Sequence, residues 1–254
     1  MRKVEQQSTH AEQRGANGPS TIAPSQHGER EASAALGGTA LRRDEQGLAL
    51  VGDGMVLRGD FSQLLPRIRK GRLSSELLVR AAKVRDCAEP WAIDATAGLG
   101  EDSFLLAAAG FRVSMYESDP TVAALVRDAL DRAQANPDLA DITCRMELFE
   151  EDSIEAMSHL GDTPDVIYLD PMFPERRKSA AVKKKFQLIH HLEAPCQNEG
   201  ALLAAAISAG PRKVVVKRPA KGPHLAGVKP SHSLAGKAVR YDVIIPASIK
   251  VPLA

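Results

Sequence analysis

The sequence predicts an α/β protein whose central sheet is mostly parallel and doubly wound. A C-terminal antiparallel hairpin closes the sheet, and a small N-terminal appendage precedes it. Three observations carry this expectation. From Trp91 onward, short apolar runs alternate with helical periodicities, the pattern of a sheet covered by helices on both faces. The run Trp91-Ala-Ile-Asp-Ala-Thr-Ala-Gly-Leu-Gly100 ends a strand in a glycine-rich turn that opens a helix. Near the C-terminus, residues 233–245 read as a hairpin turning at Gly236-Lys237.

Taken along the chain, residues 1–45 are rich in Gln, Ser, Gly, Glu and Ala, with scarcely an aliphatic cluster. They carry too little apolar surface to order themselves, so a disordered tail is expected. Residues 46–88 form the appendage. Two apolar runs, 48–51 and 55–57, flank Asp53-Gly54 as in a hairpin, and a helix is expected over about 74–84 with Leu77, Leu78 and Ala81 on one face. Residues 89–254 hold the main domain. Its first strand reaches Asp94 and a helix opens at about Glu101; a second strand ends in Glu117 before a helix led by Pro120. A strand-like run, Ile142 to Leu148, precedes Glu150-Glu-Asp-Ser153, and the apolar strand Val166 to Leu169 follows. Residues 178–194 have helical spacing, with Val182, Phe186 and Ile189 apolar and the lysines on the wet face. Lys213-Val-Val-Val-Lys217 is the fifth strand.

Composition bounds the function. A chain of 254 residues with 44% hydrophobic content can bury a core, and a net charge of +1 names no partner. Local charge says more: basic clusters lie at Arg67–Arg72, Arg176–Lys178, Lys183–Lys185 and Lys213–Arg218, and two of them flank the strand ends proposed as a site. Charge runs are also commonly no more than solvated faces. Cys87, Cys144 and Cys196 form neither a metal pattern nor a disulfide framework, which points to a reducing compartment and no bound metal. No apolar run approaches the ~20 residues that span a bilayer, and no apolar stretch follows Arg2-Lys3 as in a secretory signal. A cytoplasmic protein with no membrane partner is expected.

The most informative stretch is Asp165-Val-Ile-Tyr-Leu-Asp-Pro-Met-Phe-Pro174. Ligands of open α/β sheets sit at the carboxyl ends of strands, where Asp170 falls. Pro171 ends the strand and turns the chain outward. This arrangement suits a flat amine: the Asp170 carboxylate and the Pro171 carbonyl accept its N–H bonds while Phe173 stacks on its ring. A plain strand-ending turn is the alternative, since Asp-Pro is a common breaker pair. The glycine turn narrows the choice. Gly98 and Gly100 let backbone approach a ligand, but Ser103 stands where a dinucleotide fingerprint needs a small Gly or Ala. Glu101 and Asp102 at the helix start oppose a pyrophosphate and favour a cation or an ammonium-bearing zwitterion. A sulfonium cofactor with an amino-acid tail fits this turn, and NAD fits it poorly. Glu117 is placed as a ribose-hydroxyl clamp, and Asp152-Ser153 as partners of an adenine amine or as helix caps.

Together, Asp94-Ala-Thr-Ala-Gly-Leu-Gly100, Tyr168-Leu-Asp-Pro-Met-Phe-Pro174, Lys178-Ser-Ala-Ala-Val-Lys-Lys184 and Val214-Val-Val-Lys-Arg-Pro219 resemble the ribosomal RNA small subunit methyltransferase J family over about residues 65–246. The resemblance implies a Rossmann-like class I methyltransferase fold, in which the antiparallel closing hairpin replaces the dehydrogenase arrangement. It implies S-adenosylmethionine as cofactor and 16S rRNA, free or within the small ribosomal subunit, as partner, with a guanosine N2 as methyl acceptor. Carried onto this sequence, it places Glu101-Asp102, Glu117-Ser118, Asp152-Ser153 and Asp170 at the cofactor, beside Asp94, Gly98 and Gly100 of the turn, while Asp170, Pro171 and Phe173 are read from the strand end as the site of the reacting amine. Arg177, Lys178, Lys217 and Arg218 are expected to hold flanking RNA phosphates. A methyltransferase of another nucleic acid or a small molecule, an NAD oxidoreductase and a non-catalytic RNA-binding module are the rival readings. The sequence sets no oligomeric state.

Overall fold

Val, Ile and aromatic residues in short runs build two sheets in the computed structural model, which describes residues 39–52, 54–172 and 198–248. The first sheet is an antiparallel meander of β1 (Ala40–Asp44), β2 (Gly47–Gly52) and β3 (Met55–Leu57). Two short helices follow, α1 (Leu65–Ile68) and α2 (Leu77–Ala82). The main sheet then starts with β4 (Trp91–Asp94), α3 (Glu101–Ala108), β5 (Arg112–Tyr116) and α4 (Pro120–Gln134). It continues through α5 (Ala140–Thr143), β6 (Met146–Phe149), α6 (Ser153–Ser158) and β7 (Val166–Leu169). It ends with α7 (Glu199–Ser208), β8 (Lys213–Pro219), β9 (His232–Ala235) and β10 (Val239–Ile244).

The seven strands run in the order β6-β5-β4-β7-β8-β10-β9. Pairs among β6, β5, β4, β7 and β8 are parallel, and β10 is antiparallel to both β8 and β9. This is the parallel sheet with closing hairpin that the sequence predicts. Strand order reverses between β4 and β7, so the switch-point crevice opens above their carboxyl ends. Alternation within strands sends side chains to two cores. Tyr168 and Val215 pack with Phe61, Leu78 and Phe104 on one face; Ile167, Leu169, Val214 and Val216 pack with Leu202 and Leu203 on the other. Among the described residues no helix is long and apolar enough to cross a membrane.

Several boundaries differ from expectation. Ala40–Asp44, assigned to the tail, is a strand: it pairs with β2 from Ala40↔Val51 to Asp44↔Gly47, and Arg43 bonds Asp128 of α4 at 2.6 Å. Its charges suit a solvated edge strand, which is why it escapes an apolar pattern. Asp128 is buried and also accepts from Leu48 N and Arg132 Nε, so this one carboxylate docks the small sheet onto α4. The helix expected over 74–84 is shorter, because Ser74 and Ser75 sit in a 3₁₀ turn where Ser75 Oγ donates to the Arg72 carbonyl. The run from Ile142 is not all strand. Ile142 and Thr143 close one helical turn, with Thr143 Oγ1 donating to the Leu139 carbonyl, and β6 begins only at Met146. The helix expected over 178–194, Asp53 and Cys196 lie outside the described residues.

Candidate active site

At the switch point the carboxyl ends of β4, β5 and β7 open into a cavity of about 1030 Å³. That is the upper end of the usual range for single-ligand pockets, about 300–1,000 Å³, leaving room for a cofactor and a second group. Its floor comes from the glycine turn. Gly98 (φ +51°) and Gly100 (φ +75°) both take left-handed backbone, which glycine adopts without strain. Gly98 faces the cavity. Gly100 instead caps α3, where an added Cβ would stand 3.3 Å from the Phe61 ring.

The expected cofactor residues gather here. Asp94, Gly98, Glu101, Asp102, Glu117, Ser118, Asp152, Ser153 and Asp170 all line the cavity, whereas Gly100 does not. Their carboxylates differ in use. Glu117, only 8% exposed, accepts from Gly98 N (3.0 Å) and Asp119 N (2.8 Å), which ties the glycine turn to the end of β5. Burial raises its pKa against the pull of those N–H groups. Asp152 caps α6 by accepting from Ile154 N and Glu155 N. Asp94, 1% exposed, accepts from Ser103 Oγ (2.6 Å) and Thr96 N, and burial pushes its carboxyl up to about 7. Ser103, absent from any dinucleotide pattern, therefore serves Asp94.

Beside β7 and β8 the cavity is organised by an ion-pair cluster that sequence reasoning did not anticipate. Lys217 Nζ donates to Asp102 Oδ2 at 2.7 Å and to Asp170 Oδ2 at 2.8 Å, and Tyr168 Oη donates to Asp102 Oδ2 at 2.6 Å. The parallel register explains the meeting. Tyr168 lies opposite Val215 and Leu169 opposite Val216, so one step on Asp170 comes beside Lys217. Burial opposes the Lys217 charge, but Asp102 and Asp170 outweigh it and hold the ammonium above its ordinary pKa. Burial raises Asp170 in turn, and Lys217 pulls it back. Thr96 Oγ1 accepts Asp170 N at 2.7 Å, fixing the chain where β7 ends. Asp170 Oδ1 has no partner among the described residues.

Lys217 and Arg218, expected at RNA phosphates, have protein partners here. Both belong to β8, which runs two residues beyond Lys217 to Pro219. Lys217 is held by two carboxylates, and Arg218 is 1% exposed, donating to the Pro223 carbonyl and pairing with Glu199 at 3.3 Å. Phe173, Arg177 and Lys178 lie outside the described residues. Pro171 is buried and lines the cavity, with Met172, Arg67 and Tyr241.

The residues fit a cationic nucleoside cofactor. The cavity lining carries Asp94, Glu101, Asp102, Glu117, Asp119, Glu151, Asp152 and Asp170 against Arg67 and Lys217, and such a surplus of carboxyl groups attracts an ammonium or sulfonium and repels a pyrophosphate.

The family model described as "Putative SAM-dependent methyltransferase" matches residues 38–246. A protein of Neisseria meningitidis named "Ribosomal RNA small subunit methyltransferase J" is 43% identical over 206 residues, 80% of this chain and 82% of its own length. A protein of the same name from Stutzerimonas stutzeri is 47% identical over 171 residues, 67% of this chain and 66% of that one. A solved SAM-dependent methyltransferase from Neisseria gonorrhoeae superposes with a TM-score of 0.68 at 34% identity, over 84% of this chain and 85% of its own.

Proposed function

Because the chain belongs to the ribosomal RNA small subunit methyltransferase J family, whose members depend on S-adenosylmethionine, we propose that it methylates the exocyclic N2 of a guanosine in 16S rRNA. The observation that carries the choice of an amine is Asp170: a carboxylate on the cavity wall with one oxygen held by Lys217 and the other without a partner among the described residues. Glu117 would hold the ribose hydroxyls, and Glu101 and Asp152 would face the cofactor's polar ends. When bound, the cofactor supplies a methyl group activated on a positive sulfur.

The chain's own residues do the rest. A guanine amine is a poor nucleophile because its lone pair is delocalised into the ring. Asp170 Oδ1 and the Pro171 carbonyl accept the two N–H bonds, which localises that lone pair and aims it into the cavity. On methylation the nitrogen would lose one proton to Asp170 and on to water, while the electron pair of the broken S–C bond stays on the departing, now neutral, sulfur. Lys217 keeps the carboxylate ionised so that it accepts rather than donates. Most of the acceleration comes from orientation, with the fixed Asp170–Lys217–Asp102 charges adding electrostatic stabilisation. The guanine must leave its stack to enter, and Phe173 is proposed as its stacking platform.

The test uses radiolabelled cofactor with 16S rRNA, free or in small subunits, followed by nucleoside digestion. Label in N2-methylguanosine is expected. Label in another nucleoside, in DNA alone, or in no nucleic acid refutes the proposal.

A further inference from the structure

The basic cluster Arg67–Arg72 is not spread over a solvated face. It forms a closed loop at the cavity rim. Arg67 lines the cavity and makes a bidentate pair with Glu76, Nε to Oε1 at 2.9 Å and Nη2 to Oε2 at 2.8 Å. That pair clamps the neck of the loop. Leu64 is buried at its entrance, and Leu65, Ile68 and Leu77 pack on the core on either side. Between them the chain turns tightly: Arg72 N donates to the Arg69 carbonyl at 2.9 Å, with Gly71 at φ +84°. Gly71 has open space where a Cβ would stand, so its backbone conformation, not crowding, calls for glycine here.

The tip of this loop exposes Arg69, Lys70 and Arg72. Among the described residues none of the three has a carboxylate within ion-pair distance, and the neighbouring Glu76 is already engaged by Arg67. Three uncompensated cations on a fixed turn repel one another, and a run of phosphates relieves that repulsion while releasing counterions. The position matters as much as the charge. Arg67 joins this loop to the cavity and feels the charge of Asp102, the carboxylate that Lys217 shares with Asp170.

We infer that Arg69, Lys70 and Arg72 form the phosphate-docking surface that presents the RNA target to the cavity, the role expected of Lys217 and Arg218. This rests on the rRNA reading above. Phosphate contacts of this kind set register and orientation and leave base choice to the pocket.

The experiment compares the full chain with Arg69→Ala/Lys70→Ala/Arg72→Ala and with each single variant, by filter binding of 16S rRNA across a salt series. Melting temperature and cofactor calorimetry run alongside. The triple variant should melt and bind cofactor like the parent, lose at least about tenfold in RNA affinity, and flatten the log–log salt slope by about two to three, each single change taking about 0.7–0.9. Lys83→Ala/Arg85→Ala serves as a charge control. These exposed cations lie by the amino end of β8, where Lys213 Nζ reaches the Lys83 carbonyl, and the control should keep the parent slope less any non-specific part. A parent that methylates rRNA while the triple variant keeps its affinity and slope, or the control losing as much as the triple, overturns the surface alone. A parent that neither binds nor methylates rRNA overturns the functional reading and this surface with it.

Discussion

Lys217→Met isolates the electrostatic support of the proposed acceptor without touching it. Methionine retains much of the apolar stem and removes the ammonium that lies 2.7 Å from Asp102 and 2.8 Å from Asp170. Two carboxylates then face each other with no cation between them. Burial and the charge of Asp102 raise the Asp170 pKa, and Lys217, helped by Arg218, lowers it, so the substitution moves it upward. A unit pair about 4 Å apart near a protein surface is worth up to about 4 kcal/mol. Asp170 is 35% exposed and Lys217 26% in their side chains, so solvent screening reduces this to about 1–2 kcal/mol, roughly one pH unit. Protonated Asp170 points an O–H at an amine that also donates, so the acid limb of the rate profile should move alkaline by about that unit. Single-turnover methylation with saturating RNA and cofactor, measured across pH, reads this directly. The variant should be slow near neutrality and recover as pH rises, with RNA affinity and its salt slope unchanged. A rate lowered equally at every pH, or an unshifted limb, refutes the argument.

Two further outcomes follow from the same geometry. Glu117→Ala should weaken cofactor binding by about 1.5–3 kcal/mol for each charge-assisted bond lost, read by calorimetry; unchanged affinity removes Glu117 from the ribose clamp. Asp94→Asn tests the buried carboxyl. An ordinary aspartate ionises near 3.8, and Asp94 in the fold near 7, so the folded state binds the extra proton between these values. Stability from this group is full below about pH 4 and falls as pH rises through 7, by up to about 4 kcal/mol. Urea unfolding at acid and alkaline pH should show a flatter dependence in the Asn variant; an identical dependence contradicts the buried-carboxyl account.

What the sequence made legible was whatever local pattern controls. The β4 turn, Asp170-Pro171 at a strand end, Glu117 closing β5 and the terminal hairpin all follow from short-range periodicity, glycine and proline. Charged residues were harder, because a charge can face water, a ligand or another charge with the same local sequence. Lys217 and Arg218 looked like phosphate contacts beside a strand end, but parallel pairing of β7 with β8 delivers Lys217 to Asp170 and turns Arg218 toward Glu199. Counting residues from Val215 opposite Tyr168 would have found the first pairing once the register was known. Thr96 escaped notice because its function is a single bond to the Asp170 amide, 74 positions away. The strand Ala40–Asp44 was missed for a related reason: its stabilisation lies in its ladder to β2 and in Arg43 reaching Asp128, not in an apolar pattern of its own.

Asp170→Asn bears most directly on the central claim that a strand-end carboxylate accepts the hydrogens of the methylated amine. The amide keeps one acceptor, loses the charge, and can turn an NH₂ donor toward another donor. Run with single-turnover methylation of saturating 16S rRNA, cofactor calorimetry and filter binding, the variant should lose methyl transfer by orders of magnitude while RNA affinity stays close to the parent. A single-turnover rate near that of the parent would make the carboxylate structural and contradict the mechanism.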